Sequence, residues 1–278
     1  MTEEKLVDID RQGRRLHARW RRNGTPTVVI ETGSASSSSE WHDVLDAIGE
    51  FTSVIAYDRA GYGDSDADTA PRTADRIVSD AVALLAATDL PKPYVLVGHS
   101  LGAHYARRFA QLHRADVCGL VLVDPAHEDQ NSFMPQEMLD WWAANADVLP
   151  AFDTADAVRL ENEAAEHNNA VLRADPGLDD LPLMVVTRDQ NGWSEYMPEE
   201  LAAAVGAGWT AAQTALARLS TNGVLRRANA LGHHVHQEDP QAIVDAVRMI
   251  TAQSHPCANR VPERDPPPGV VDPGIQYM

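Results

Sequence analysis

Gly98-His99-Ser100-Leu101-Gly102 stands directly behind the apolar run Tyr94-Val95-Leu96-Val97 and ahead of a helical pattern. A serine hydroxyl is a poor nucleophile unless a base activates it and the backbone presents it. Strand, tight turn and helix in that order supply the presentation. Small residues two before and two after the serine keep side chains from colliding in the turn. The Ser100 hydroxyl is then expected at the carboxyl end of a sheet, facing a helix N-terminus that favours negative charge. A bare G-x-S-x-G also occurs by chance in ordinary strand-to-helix loops, and the flanking strand and helix give this one its meaning.

Eleven histidines compete for the role of base. His233, in Leu231-Gly232-His233-His234-Val235-His236-Gln237-Glu238-Asp239-Pro240, follows the last expected strand and precedes the last helix. A loop there returns a side chain to the edge where Ser100 is expected. The plainer alternative is a surface histidine in a polar loop. His234 and His236 read as loop or packing residues. No carboxylate-and-histidine spacing of a known zinc site surrounds the three, so no metal is expected.

The base needs an acid to fix its tautomer and stabilise the imidazolium. Two aspartates end strands at the right edge: Asp124, after Val121-Leu122-Val123, and Asp189, after Val185-Val186-Thr187-Arg188. A developing oxyanion needs N–H donors, and losing one typically costs about 3 kcal/mol of transition-state stabilisation. The expected donors are the N–H of Leu101, at the helix start, and that of Ser34, after Thr32-Gly33. The run Ser34-Ala35-Ser36-Ser37-Ser38-Ser39 reads equally as a flexible loop with a helix cap. Both readings can hold together.

The elements that must position these groups alternate along the chain. Lys5–Asp10 and Arg15–Trp20 read as an opening antiparallel pair. Thr27–Glu31, Thr52–Tyr57, Tyr94–Val97, Val117–Val123, Leu183–Thr187 and Val224–Ala228 follow as strands. The later runs are nearly continuous in apolar character, as expected of strands buried on both faces. Helical stripes lie between them: Ile77, Ala81 and Leu84; Ala106, Phe109 and Ala110; Trp209, Ala212 and Leu216; Ile243, Ala246, Val247 and Ile250. This order calls for a mostly parallel sheet covered on both faces.

From about residue 125 to 181 no strand pattern is visible. Phe133, Met134, Met138, Trp141, Trp142, Leu149, Phe152 and Leu160 fall in this stretch, which reads as a helical insertion or cap. An apolar cap would exclude water and line a pocket, with Trp141, Trp142 and His127 as candidate substrate contacts. Plain packing of helices on the core is the alternative for any one of these aromatics. Residues 256–278, with Pro266-Pro267-Pro268, read as an extended tail, leaving 1–255 as the folded domain.

Composition narrows the partners. The net charge of −18 repels phosphate backbones and anionic lipid, so neither nucleic acid nor a membrane surface is expected as a partner. Two cysteines, a start without an apolar leader, and no stretch approaching the roughly 18 residues of a spanning helix point to a cytoplasmic protein.

Several segments together resemble the α/β-hydrolase superfamily over nearly the whole chain. They are Thr27-Val28-Val29-Ile30-Glu31-Thr32-Gly33, then Asp58-Arg59-Ala60-Gly61-Tyr62-Gly63-Asp64-Ser65, then Gly98 to Gly102, and Gly232-His233 with Pro240 seven residues on. The resemblance implies an eight-stranded, mostly parallel α/β sheet with a helical cap. It also implies a Ser100–His233–acid triad. Thr32-Gly33 replaces the family's usual His-Gly. The usual acid position after strand seven falls on Asn191, two residues from Asp189. Some members carry the acid at the end of strand six, where Asp124 stands, so the resemblance favours Asp124 with Asp189 as alternative. The implied activity is cofactor-free hydrolysis of a carboxylic ester or lactone; the tryptophans and methionines of the cap suggest a small substrate with an apolar or aromatic group. A lyase, acyl transferase or other tailoring enzyme using the same triad is the alternative. A serine in the turn argues against epoxide hydrolase and dehalogenase chemistry, for which related enzymes use an aspartate.

Overall fold

The computed structural model describes residues 1–10, 12–144, 156–175, 177–193 and 197–253, without the side chains of Trp142, Ala143, Gln190 and Asn191. Eight strands form one sheet: β1 (Glu3–Asp8), β2 (Arg15–Arg21), β3 (Thr27–Glu31), β4 (Ser53–Tyr57), β5 (Tyr94–His99), β6 (Val117–Val123), β7 (Leu183–Thr187) and β8 (Gly223–Arg227). Their spatial order is β1-β2-β4-β3-β5-β6-β7-β8. β2 pairs antiparallel with both β1 and β4, and the remaining pairs are parallel. The opening strand begins and ends two residues earlier than its hydrophobic pattern suggests, and β5 runs on to His99.

The sequence of each strand records its place. β3, β4, β5, β6 and β7 are buried at every position, which explains their unbroken Val, Ile and Leu runs. β2 alternates instead, burying Leu16, Ala18 and Trp20 on one face. β8 departs from expectation: it is the sheet edge, with Val224 exposed and Arg226 and Arg227 pointing into water. Two charged residues on an edge strand discourage pairing with another chain.

Side-chain alternation divides the core in two. Val29, Leu96, Leu120 and Leu122 face α2 (Ala74–Thr88), α3 (Gly102–Leu112) and α8 (Glu199–Ala217). Val28, Ile30, Val95, Val97 and Val121 face α1 (His42–Gly49) and α10 (Pro240–Gln253). The expected stripes of α2, α3, α8 and α10 are the buried ones. Between β6 and β7 the described residues form no strand. They form α4 (Gln130–Phe133), α5 (Gln136–Ala144), α6 (Asp156–Glu163) and α7 (Ala165–Ala174). A short α9 (Val235–Glu238) precedes α10. No helix among the described residues is long and apolar enough to cross a membrane. The proline-rich tail lies outside the described residues.

The sheet order reverses direction at β3, which lies between β4 and β5. Open α/β sheets bind ligands beyond the carboxyl ends of their strands at such a switch point. There the first turn of α3 sits flush on β3: a Cβ added at Gly102 would lie 2.4 Å from the carbonyl oxygens of Glu31 and Thr32. Gly102→Ala is therefore expected to force helix and strand apart and to destabilise the fold by about 1–3 kcal/mol. Urea titration checks this as a lowered midpoint with an unchanged slope. An unchanged midpoint would mean that this contact does not constrain the fold.

Candidate active site

Ser100 sits in the two-residue turn between β5 and α3 with φ at 52°. A non-glycine residue pays for positive φ and keeps it only where its surroundings over-determine it. Here the Ser100 N–H donates to the Val123 carbonyl at 3.1 Å. The Ser100 carbonyl accepts from Ala103 and Ala126, each at 3.1 Å. The turn is thus tied to β6 and to the loop leaving it. The loop after β3 passes alongside: a Cβ on Gly33 would lie 3.5 Å from Ser100 Cβ and 2.9 Å from His99 Nδ1. Only glycine leaves room for that approach.

Asp124 follows β6, also at positive φ (40°), and is fully buried. His233 Nδ1 lies 2.7 Å from Asp124 Oδ2. With the proton on Nδ1, the Nε2 lone pair of His233 is left to act as a base. The other carboxylate oxygen, Oδ1, accepts from Thr187 Oγ1 at 2.9 Å, Trp209 Nε1 at 2.9 Å and the Arg188 N–H at 3.2 Å. Arg188 Nε is 3.3 Å from Oδ2. Burial alone would push this carboxyl upward. The His233 hydrogen bond and charge, with Arg188 and the Trp209 N–H, outweigh it and hold Asp124 below the usual carboxylate range. Asp189 begins the turn after β7, with its N–H bonded to the Ala230 carbonyl at 2.8 Å. The carboxylate on His233 Nδ1 is that of Asp124.

The loop carrying Ser34 is held from below by Arg59. This guanidinium, 1% exposed, donates to the carbonyls of Thr32 (2.5 Å) and Gly33 (2.7 Å) and to Glu161 Oε1 (2.8 Å) on α6. A trans peptide sets its C=O and N–H on opposite sides. Holding the Gly33 carbonyl toward Arg59 therefore turns the Ser34 N–H away from it. The N–H of Leu101 lies at the start of α3. Among the described residues neither donor is used in a turn or strand ladder. Asp58 supports the neighbouring turn by accepting from Ser38 N–H at 2.6 Å and Asp64 N–H at 3.2 Å.

His99 reaches the loop that carries His233. Its Nε2 lies 2.9 Å from the His233 carbonyl, and the two rings are 4.8 Å apart. Burial, then the charges of His233 and His236, hold His99 well below the usual imidazole range, so it stays a neutral N–H donor that anchors the His233 backbone. His127 lies against Phe133 (4.8 Å between rings), and its Nδ1 accepts from the Asp129 N–H at 2.9 Å. Trp141 packs at the margin of a cluster with Met134, Met138, Met197 and Trp209. The side chain of Trp142 lies outside the described residues.

Trp209 and Thr187 contact Asp124 and Glu161 contacts Arg59, placements that the sequence alone does not assign. Trp209 was visible only as part of an apolar stripe, although a buried indole N–H needs an acceptor. Glu161 left a clearer signal: a carboxylate on the same helical face as Ala157 and Val158, all three buried, has to meet a cation.

With this geometry in place, the comparisons with known proteins agree on the fold. The family model described as "Alpha/beta hydrolase family" matches residues 28–246. The chain is 29% identical over 246 residues to the uncharacterized protein YqjL of Bacillus subtilis, covering 86% of this chain and 88% of that one. It is 31% identical over 184 residues to lipase LipV of Mycobacterium tuberculosis, covering 66% and 67% of the two chains. An epoxide hydrolase from Vigna radiata superposes with a TM-score of 0.65 at 14% identity, covering 91% of this chain and 98% of that one. That last likeness is one of fold.

Glu31, at the end of β3, gives the site a pH signature. Burial pushes its carboxyl up to about 7, against the opposing charge of Arg59 and a hydrogen bond from the Tyr57 hydroxyl. A carboxyl raised in the folded state favours folding while protonated, and this contribution is lost as pH rises through about 7. Glu31→Gln keeps an acceptor for Tyr57 and removes the titration. Relative to wild type, the variant is expected to gain on the order of 3 kcal/mol of stability between pH 4.5 and pH 8. Denaturant titrations at both pH values check this; a pH-independent difference would refute the raised carboxyl.

Proposed function

We propose that this chain, which belongs to the alpha/beta hydrolase family, is a cofactor-independent serine hydrolase that cleaves a carboxylic ester or lactone through an acyl-enzyme. The observation that carries the reading is the 2.7 Å contact between His233 Nδ1 and the buried Asp124, at the same sheet edge as the strained Ser100 turn. Ser100 Oγ attacks the carbonyl carbon as His233 Nε2 takes its proton. Asp124 holds the imidazole tautomer and stabilises the imidazolium. The N–H groups of Ser34 and Leu101 receive the oxyanion, Leu101 from a helix N-terminus where negative charge is favoured. His233 then returns the proton to the departing alkoxide. Water, deprotonated by the same histidine, releases the acid and restores Ser100.

The helices between β6 and β7 act as a cap in this reading. Met134, Met138 and Trp141 pack there with Trp209 of α8, next to Asp124, which supports a substrate with an apolar or aromatic group. The name of the related lipase supports ester chemistry, and the serine in the turn supports acyl transfer to oxygen. The charge of −18 supports a small-molecule substrate and disfavours nucleic acid or anionic lipid, in keeping with a cytoplasmic enzyme.

Intact mass after treatment with a fluorophosphonate tests the reading directly. One adduct is expected on wild type and none on Ser100→Ala. A well-folded wild type that takes no adduct, or an adduct that survives the substitution, would sink it. Trp209→Phe keeps the aromatic packing and deletes one donor to Asp124. Hydrogen bonds to charged groups contribute about 1.5–3 kcal/mol, so the labelling rate is expected to fall by about tenfold or more. A rate equal to wild type would show that Asp124 orients His233 without this donor.

A further inference from the structure

His236 poses a question that the triad does not answer. It is 2% exposed, and neither ring nitrogen has a hydrogen-bond partner. Buried polar groups are nearly always satisfied, and an orphaned imidazole calls for an explanation. Its ring is fixed: it stacks on Trp41 at 4.4 Å with an interplanar angle of 2°, and meets the His99 ring edge-on at 4.9 Å. Its Nε2 lies 3.6 Å from Glu40 Oε2, too far for a hydrogen bond. The exposed His234 completes the group: one ligand atom from each of Glu40, His234 and His236 lies within 4.8 Å of the others.

We propose that Glu40, His234 and His236 form a binding site for a divalent cation of the zinc type. Two imidazoles and one carboxylate are a zinc donor set, whereas magnesium and calcium take oxygen ligands. Metal–ligand bonds of about 2.0–2.1 Å in a tetrahedron place ligand atoms about 3.3 Å apart, so the 3.6 Å between His236 and Glu40 needs little adjustment. Glu40 is already oriented as ligand carboxylates are. Its Oε2 accepts from the Ser36 hydroxyl at 3.0 Å and its Oε1 from the Ser37 N–H at 3.2 Å. His234 stands on the solvent side and gives the ion an entry path. Three protein ligands leave the fourth position to water.

The placement gives the ion a consequence. Glu40 lies in the short turn Ser38–Trp41 that follows the Ser34 loop, and His234 directly follows His233. A bound cation would fasten together the two loops that flank Ser100. The sequence could not expose this site, because its carboxylate arrives from the opposite end of the chain.

Zn²⁺ titration of the chelator-stripped full chain against a chromophoric competitor tests the proposal, with thermal unfolding as a second readout. Wild type is expected to bind one equivalent. At a hundredfold excess over Kd its midpoint should rise by roughly 5 °C. Glu40→Gln and His234→Ala leave the buried His236 in place, so both are expected to fold. Each should weaken binding by at least about tenfold. His167→Ala, which removes an exposed histidine on α7, should bind as wild type does. Failure of wild type to bind stoichiometrically, or equal affinity in Glu40→Gln and His234→Ala, would overturn the proposal. The first outcome would leave His236 as a packing histidine; the second would mean that the ion sits elsewhere.

Discussion

An ionised carboxylate with no solvent access is the condition around which this site is organised. Asp124 is fully buried, and an unpaired buried charge costs several kcal/mol. Its partners come from three parts of the chain: Thr187 and the Arg188 N–H at the end of β7, Trp209 on α8, and His233 in the loop after β8. None of these is near Asp124 in sequence. The anion is satisfied only when β6, β7, α8 and the histidine loop have come together. Completing the fold and orienting His233 are therefore one event. Three donors on Oδ1 also leave Oδ2 to His233 and Arg188, so the imidazole meets an acceptor whose direction is already set.

A second buried charge does the same for the other side of Ser100. Arg59 is a cation enclosed by the Thr32 and Gly33 carbonyls and by Glu161, whose Oε2 also accepts from the Tyr62 hydroxyl at 2.8 Å. The cation holds two peptide units of the loop beside the nucleophile and one helix of the segment between β6 and β7. The loop and α6 are therefore mechanically one piece. Displacing α6 would expose or strand the guanidinium, a change that breaking a buried pair makes strongly unfavourable. α6 is thereby coupled to the loop whose Ser34 N–H is the proposed oxyanion donor.

What could be read from the sequence follows from how local each determinant is. β3, β5, β6 and β7 announced themselves because burial on both faces demands unbroken apolar runs. Ser100 was legible because strand, turn and helix are contiguous. His233 was legible from its position after a strand and before a helix. Asp124 and Asp189 each end a strand at the same sheet edge, and only the fold brings one of them to His233. Trp209 reads as one apolar residue in a stripe, since its N–H partner lies 85 residues away. Arg59 and Glu161 are 102 residues apart and share no local pattern. β8 reads as a buried strand because Val224 and Leu225 are apolar; the two arginines after them are the better guide to an edge.

Three of the five described non-glycine residues at positive φ lie at the sheet edge that holds the candidate site, with Asp89 and Asp179 elsewhere. Ala35, Ser100 and Asp124 are non-glycine residues at positive φ, and they fall in the loop after β3, the turn after β5 and the end of β6. Conformations of this kind cost of order 1–3 kcal/mol each. Three of them at adjacent strand ends cannot be maintained by the loops alone. The surrounding structure compensates: β3, β5 and β6 are buried at every position, both sheet faces carry continuous apolar clusters, and the turn carbonyls and N–H groups are bonded across strands. The stiffness of the central sheet is thus what permits the strained presentation of a serine, a carboxylate and an N–H donor at its carboxyl edge. A looser core with the same three residues would relax them into ordinary turns, and the geometry that joins them would be lost before the fold was.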